Sequence, residues 1–334
     1  MKFSGTSNSI YNEFFSKSNF DAKVENTKWR GQDSTNSFCF INPEVKYKQR
    51  QKEVLRKLRE VFEIQSASFD DKYRQAISGD GQEIKRISTL HSSSLAALLL
   101  LYSVSKDNKL KCSLGGKDYT FTDCFFEVKT NVKDSHFSNM DVVLIGKNSE
   151  CENVIFFLES KFSEYFNTGM CNDISLNAYK EIYDKLGLKD EAIPGLHFVI
   201  GTGKDNEKCL QIKSNTPQYC SGIKQMISHY IGVTNFINKG IAAMDPKQES
   251  YFEKLDELRK EGANIILGEV LFDFGNQVSN GKAKLENYSS IYKALATILN
   301  DHTSKLYVLP KILTYQELLK GFELDKKVKA FYQL

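Results

Sequence analysis

A run of apolar residues, Val154 to Leu158, leads directly into the charged triplet Glu159-Ser160-Lys161. The run has the length and composition of a β-strand that is buried on both faces. A carboxylate and an ammonium group at the end of such a strand each cost several kcal/mol to bury unless they are paired or bound to a metal. The chain must therefore place this strand in a core and supply partners for both charges.

A second apolar run, Met140 to Ile145, precedes the first, and the segment between them, Lys147 to Asn153, is polar and turn-forming. The two runs predict a β-hairpin. Because side chains alternate along a strand, Glu159 and Lys161 project from the same face. Asp141 begins the neighbouring strand, and paired residues on antiparallel strands lie about 5 Å apart. The hairpin can therefore bring the carboxylates of Asp141 and Glu159 together.

Two carboxylates at that separation repel each other unless a cation lies between them, and a hard divalent ion prefers such oxygen ligands. We expect Mg²⁺, with Mn²⁺ as a substitute, bound by Asp141, Glu159 and the backbone carbonyl of Ser160. Such an ion would polarise a phosphodiester and lower the pKa of a bound water. Lys161 would orient or help to deprotonate that water and stabilise the developing charge. In the alternative interpretation, Glu159 and Lys161 form an ordinary ion pair at a strand end.

An acidic residue two positions before a lysine is a weak signal, because this chain contains nine such triplets and only their surroundings can distinguish them. Glu159 stands out because a buried strand carries it. A rival arrangement is Glu127-Val128-Lys129, with Asp118 or Asp123 as the upstream carboxylate.

Helical and strand patterns alternate along the rest of the chain. Further strands are predicted over Tyr119–Val128, Leu196–Ile200 and Ala263–Phe272. Helices are predicted over 46–65, 93–105, 173–187, 218–238, 247–261, 286–299 and 314–331. The combination predicts an α/β protein with a mixed β-sheet core flanked by α-helices. We divide it into an N-terminal extension with a helix, residues 1–75, and one large domain, residues 76–334.

Composition and the remaining motifs exclude several classes of protein. The net charge of +3 neither requires nor excludes binding to nucleic acid. The seven scattered cysteines form no C-x-x-C pair, so we expect buried reduced thiols. The N-terminus lacks an apolar signal segment, and the most apolar run, Leu95 to Leu101, is far shorter than the roughly 20 residues that span a bilayer. We expect a soluble, cytoplasmic protein without a membrane partner.

Two further local patterns predict structure but no chemistry. Ser92 precedes the apolar helix that begins at residue 93 and is expected to be its N-cap. Gly201-Thr202-Gly203-Lys204 follows a strand but lacks the upstream glycine of a phosphate-binding loop, so it predicts a turn. The five histidines show no metal-ligand spacing along the chain.

Asp141, an apolar strand and then Glu159-x-Lys161 resemble the signature of the PD-(D/E)xK nuclease superfamily, whose members share the restriction-endonuclease-like fold. The phrase from Phe157 to Glu164 is similar to a bacterial subgroup of uncharacterised restriction-like nucleases, and Leu90 to Ser94 resembles the same subgroup more loosely. The similarity covers about residues 85–235. In this chain Met140 stands where the family pattern has proline before the aspartate.

The resemblance implies a Mg²⁺-dependent nuclease that acts on DNA, with Asp141, Glu159 and Lys161 as catalytic residues. It also implies an earlier acidic residue, for which Glu127 is the first choice, as a catalytic group and further metal ligand, and Glu83 the second. A polar residue on a helix after the core strands is implied as well, and Gln225 takes that place. Because cutting both strands of a duplex often takes two sites, a homodimer fits this interpretation.

Alternatives remain at each of these points. Gln225, His229 and Tyr230 also fit the face of an amphipathic helix, and Glu164 is expected beside the site or on the surface rather than as a ligand. A second interpretation is a non-catalytic protein that keeps a nuclease-like fold to bind nucleic acid or a protein partner. A third interpretation is an α/β enzyme for a small phosphorylated substrate, with a closed pocket near Gly201 to Lys204.

Overall fold

The computed structural model describes the chain in segments: residues 10, 12–17, 25–28, 36–39, 47–78, 87, 89–90, 92–133, 136–166, 169–175, 186, 188, 192–193, 195–202, 208–218, 220–245, 249–302 and 305–334. Their helices are α1 (Tyr47–Phe62), α2 (Ser68–Ala76), α3 (Ser93–Leu101), α4 (Cys220–Lys239), α5 (Glu249–Lys260), α6 (Gly281–Asn300), α7 (Tyr315–Leu318) and α8 (Lys326–Tyr332). Their strands are β1 (Glu25–Lys28), β2 (Asn36–Cys39), β3 (Leu110–Leu114), β4 (Lys117–Lys133), β5 (His136–Asn148), β6 (Asn153–Lys161), β7 (Gly169–Ser175), β8 (Leu196–Thr202), β9 (Lys208–Gln218), β10 (Asn264–Leu271), β11 (Leu306–Val308) and β12 (Leu313–Thr314).

A seven-stranded mixed sheet forms the centre of the described structure. Its strand order is β11–β10–β6–β5–β4–β3, and β12 also pairs with β10. Strands β3 to β6 are antiparallel, whereas β10 runs parallel to β6, β11 and β12. The remaining described strands form two smaller sheets, β1–β2 and β7–β9–β8. The predicted α/β architecture with a mixed sheet and flanking helices is confirmed.

The predicted hairpin is formed by β5 and β6. Their pairing extends from Lys147 opposite Asn153 to Val142 opposite Leu158, and it ends there. Beyond that point residues 136–140 of β5 pair with β4 alone among the described strands, while β6 continues along β10 to Lys161. The two strands therefore separate and leave a fork in the sheet. We call this opening the β5–β6 fork.

Helix α3 packs against the sheet beneath the fork. The Ser92 side chain accepts a hydrogen bond from the Leu95 backbone N–H at 3.2 Å, which confirms the expected N-cap. All residues of α3 except Ser93 are buried, as predicted for a helix without a polar face. The helix ends at Leu101 rather than at residue 105.

Two of the predicted helices are wrong in part. Asp173 to Ser175, placed in a helix over 173–187, instead end β7 and pair with β9; residues 176–185 lie outside the described residues. Pairing with a distant strand has overridden the local periodicity. The helix over 314–331 is divided into α7 and α8, because the chain turns between them at Gly321, which has a φ of +78°.

Other differences concern strands and thiols. Leu196 to Ile200 do form a strand, β8, but it belongs to the three-stranded sheet with β7 and β9. Strands β1, β2, β3, β7, β9, β11 and β12 were not predicted. Among the described cysteines, Cys112, Cys124 and Cys151 are free thiols, and Cys151 is exposed rather than buried. No helix in the described part of the chain is long and apolar enough to cross a membrane.

Described residues of the first 75 contribute to the same hydrophobic core as the rest of the chain. The ring of Phe14, for example, lies edge-on to Phe272 and Phe274, with centroid separations of 5.5 and 5.1 Å. Such aromatic contacts stabilise a fold beyond the area they bury. The division of the chain at residue 75 stays a prediction.

Helix α4 lies across β4 and β5 at very short range. A Cβ atom at Gly232 would overlap Oγ1 of Thr130, so glycine is what allows this close approach. Nearby, the side chain of Asn235 donates to two backbone carbonyl oxygens of β4, at 2.9 and 3.0 Å. These contacts set the position of α4 along the sheet and hence the positions of Gln225 and His229.

We predict that Gly232→Ala lowers the free energy of unfolding by about 1–3 kcal/mol, because the added methyl group must push α4 away from β4. Denaturant unfolding would measure the loss. Thr130→Ala in the same chain removes Oγ1 and should restore part of the stability. A Gly232→Ala variant as stable as the wild type would contradict the proposed close packing.

Candidate active site

Asp141 lies at the base of the β5–β6 fork, one residue beyond the last paired position. Its Oδ2 atom accepts a hydrogen bond from the backbone N–H of Ser160 at 2.8 Å. If β5 and β6 had stayed paired, this N–H would donate a hydrogen bond to a backbone carbonyl of β5. The Asp141 carboxylate accepts that hydrogen bond instead. The strands can separate here without leaving the N–H unsatisfied, and Asp141 is held beside the end of β6.

The Glu159 carboxylate is the most heavily contacted group at the fork, and only 2% of the residue is exposed. Oε1 accepts hydrogen bonds from Nζ of Lys161 and from Nε2 of Gln225, the latter at 3.1 Å. Nε2 of His229 lies 2.9 Å from Oε2, an ion-pair distance, but the contact lacks hydrogen-bond alignment. Burial alone would raise the pKa of Glu159, yet Lys161 and His229 outweigh it and lower the pKa to about 2. Glu159 is therefore an anion at neutral pH.

His229 was interpreted from the sequence as one residue of a helix face. In the structure it is 3% exposed, and its Nδ1 atom lies 2.5 Å from Oγ of Ser138 on β5. The ring thus connects Ser138 to Glu159. Ser138 and His229 are 91 positions apart in the chain, so no local pattern could have predicted their contact.

Asp141 is only part-buried, unlike Glu159 and Lys161. Burial and then the charge of Glu159 raise the pKa of Asp141 well above its usual range, and Lys161 offsets this only in part. The charge of Glu159 thus acts against ionisation of Asp141. Of the two carboxylates, that of Asp141 is the more accessible to solvent.

Glu269 is a further buried carboxyl that the sequence interpretation missed. It lies on β10 directly beside Glu159 in the parallel pairing and is 0% exposed. Its Oε2 atom accepts a hydrogen bond from the Tyr288 hydroxyl at 2.8 Å, whereas Oε1 has no hydrogen-bond partner. Burial is the main cause that raises the pKa of Glu269 to about 8. A signal was present, because Glu269 interrupts an apolar strand just as Glu159 ends one.

Ser160 points to the other face of the sheet, as alternation along β6 requires. Its Oγ atom donates to the Ser93 carbonyl at 3.2 Å and lies 2.7 Å from the Tyr315 hydroxyl. Helices α3 and α7 therefore hold the end of β6 from one face while α4 contacts it from the other. The role of the Ser160 backbone carbonyl as a metal ligand stays a prediction.

The other acidic candidates have different surroundings. Glu127 is buried on β4 with a φ of +51°, and its charge contributes to raising the pKa of Tyr251 on α5. Its role as catalytic group or ligand stays a prediction, and Glu83 lies outside the described residues. Glu164 accepts hydrogen bonds from the backbone N–H groups of Phe162 and Ser163 at 2.8 and 3.0 Å, beside the site as expected.

The residues of the rival triplet have partners elsewhere. Nζ of Lys129 lies 3.8 Å from Asp245, which precedes α5. Asp123 pairs with Lys72 at 3.1 Å and with Lys254 at 2.7 Å. The contacts that converge in this structure are those of the Glu159 triplet.

The donor set of the fork fits a magnesium ion. Within the part of the chain that the structure describes, no three His, Cys, Asp or Glu side chains form a ready-made metal cage. Mg²⁺, however, is usually bound by one or two carboxylates, with waters and substrate phosphates as the other ligands. Asp141 and Glu159 supply two carboxylates, and Oε2 of Glu159 is a buried oxygen without a hydrogen bond. These residues could hold the ion.

We predict that Asp141→Asn stabilises the protein in EDTA by on the order of 1 kcal/mol, because it removes a repelling charge and keeps an acceptor for the Ser160 N–H. Thermal unfolding with and without Mg²⁺ would measure this. Added Mg²⁺ should raise the melting temperature of the wild type but not of the variant. A variant less stable than the wild type in EDTA would show that the carboxylates do not repel.

Comparisons of this chain with protein-family models, with curated proteins and with solved structures return no match. The interpretation of the site therefore depends on the residues and contacts described above.

Proposed function

We propose that this protein is a Mg²⁺-dependent nuclease of the PD-(D/E)xK superfamily, with a restriction-endonuclease-like core, that hydrolyses phosphodiester bonds in DNA. The observation that carries the proposal is the convergence of Asp141, Glu159 and Lys161 at the β5–β6 fork. Phosphodiester hydrolysis requires a cation-binding pair of carboxylates and a positive side chain near the scissile phosphate. The fork supplies both.

Asp141 and Glu159 are the residues that would hold the ion. A bound Mg²⁺ would polarise the scissile phosphate and lower the pKa of the attacking water. Because Asp141 is part-buried and Glu159 is almost inaccessible, the substrate would approach from the side of Asp141.

Lys161 and Gln225 complete the site from the protein side. Lys161 lies against Glu159 and its charge also acts on Asp141 and Glu269, so it is placed to orient a water and to stabilise negative charge on a phosphate. Gln225 donates one amide hydrogen bond to Glu159, which leaves its carbonyl oxygen for the water or the substrate.

The part of β5 beyond the fork offers a surface for the nucleic acid. Burial alternates along it: Ser138 and Met140 are buried, while Phe137, Asn139 and Asp141 are accessible. Phe137 is 37% exposed. An exposed aromatic ring, on which a base could stack, thus lies four residues along β5 from the carboxylate at the fork. This arrangement supports an extended substrate rather than a small enclosed one.

We predict that purified protein nicks or degrades DNA in Mg²⁺ or Mn²⁺, and that Lys161→Met lowers the rate by ~100-fold or more because it removes the positive charge. Methionine keeps most of the side-chain volume, so the fold should survive. Cleavage of labelled DNA with added Mg²⁺, and its loss in EDTA, would be measured.

The matched control is Lys109→Ala, which changes an exposed lysine of another acidic-x-lysine triplet, Asp107-Asn108-Lys109, and should leave cleavage unchanged. Thermal unfolding of both variants verifies their folds. Cleavage that persists in EDTA and in Lys161→Met would exclude the proposed site.

One observation favours a second function, a non-catalytic protein that binds nucleic acid or a protein partner. Glu159 already has Lys161, Gln225 and His229 against its two oxygens, so its charge is compensated by the protein. Titration calorimetry distinguishes the two functions. Heat of Mg²⁺ or Mn²⁺ binding that disappears in Asp141→Asn supports the nuclease, whereas no binding by the wild type supports the second function.

A further inference from the structure

His229 occupies a connecting position that the proposed catalysis does not yet explain. It lies on α4, with Ser138 of β5 at Nδ1 and Glu159 of β6 at Nε2, at 2.5 and 2.9 Å. All three residues are at most 5% exposed. The imidazole therefore spans the β5–β6 fork on the face that α4 covers.

The neighbours determine which nitrogen carries the hydrogen. Nε2 lies 2.9 Å from Oε2 of Glu159, and a carboxylate oxygen accepts hydrogen bonds, so Nε2 is the ring nitrogen that carries a hydrogen toward Glu159. Nδ1 faces the Ser138 hydroxyl, which can either donate to it or accept from it. Ser138 thereby holds the ring with its Nε2–H beside Glu159.

We propose that His229, anchored by Ser138, is a positioning residue that holds the Glu159 carboxylate in the orientation in which it binds a divalent cation. The inference rests on the proposed metal-dependent function. Because the Nε2 contact lacks hydrogen-bond alignment, a lone pair of Oε2 stays open while the ring prevents the carboxylate from rotating away.

The support for His229 is rigid, which a positioning residue requires. Helix α4 is held against β4 by the close approach at Gly232 and by the two hydrogen bonds of Asn235. Gln225, one turn earlier on the same helix, contacts the other oxygen of Glu159. Gln225 and Lys161 contact one carboxylate oxygen and His229 the other, so removing His229 leaves Oε2 without its neighbour on α4.

Two substitutions separate positioning from packing. In His229→Gln the amide nitrogen can reach the place of Nε2 and still contact Glu159, whereas in His229→Asn the amide reaches only the place of Nδ1 and Ser138. We expect His229→Asn to weaken Mn²⁺ binding by about tenfold or more, as loss of a group that orients a metal ligand typically does. His229→Gln should retain most of the affinity. Electron paramagnetic resonance titration of free Mn²⁺ measures binding independently of activity.

The control is His302→Asn, which removes an exposed ring whose Nε2 lies 3.1 Å from the Leu186 carbonyl and should leave Mn²⁺ binding unchanged. If His229→Asn does not fold, Ser138→Ala decides the question: weaker Mn²⁺ binding supports the role of the anchor, and wild-type affinity overturns it. Equal affinities of His229→Asn and His229→Gln would overturn this inference alone. A wild-type protein that does not bind Mn²⁺ would overturn it together with the proposed function.

Discussion

The ion pair between Glu159 and Lys161 is the contact on which the rest of the site depends. Both residues are 2% exposed at the end of a central strand, where an unpaired charge would cost several kcal/mol. Their neighbours come from three directions: α4 supplies Gln225 and His229 against Glu159, while β5 supplies Asp141 and β10 supplies Glu269, on both of which the charge of Lys161 acts. Strand pairing and helix packing around β6 therefore also serve to satisfy these two buried charges.

The fork holds more acidic than basic side chains: Asp141, Glu159 and Glu269 against Lys161 and His229. Asp141 and Glu269 have raised pKa values, mainly through burial, while Glu159 is kept ionised by Lys161 and His229. Apolar residues at this end of the sheet would make the folded protein more stable, because like charges repel strongly where water is largely excluded. Such local conflicts are typical of functional sites and are tolerated because the surrounding structure holds them in place. A divalent cation would relieve the repulsion, which links the stability of the fork to its proposed chemistry.

Local signals were enough to predict part of the side-chain cluster at the fork. The apolar run before Glu159, the hairpin with Asp141 and the helix with Gln225 predicted side chains that do converge. Glu269 was missed although its strand carries the same signal, a carboxylate in an apolar run. His229 and Ser138 could not be found in this way, because each looks ordinary within its own element and their contact joins segments 91 residues apart.

The sequence by itself determined the α/β class, the β5–β6 hairpin, the cap of α3 and the charged end of β6, since each depends on residues within a few turns or one hairpin. Tertiary structure alone decided that β10 lies beside β6, that Asp173 to Ser175 form a strand, and that the β5–β6 ladder stops at Val142. These features depend on pairing between segments far apart in the chain, where the free energy comes from shared burial and backbone hydrogen bonds rather than from local preference.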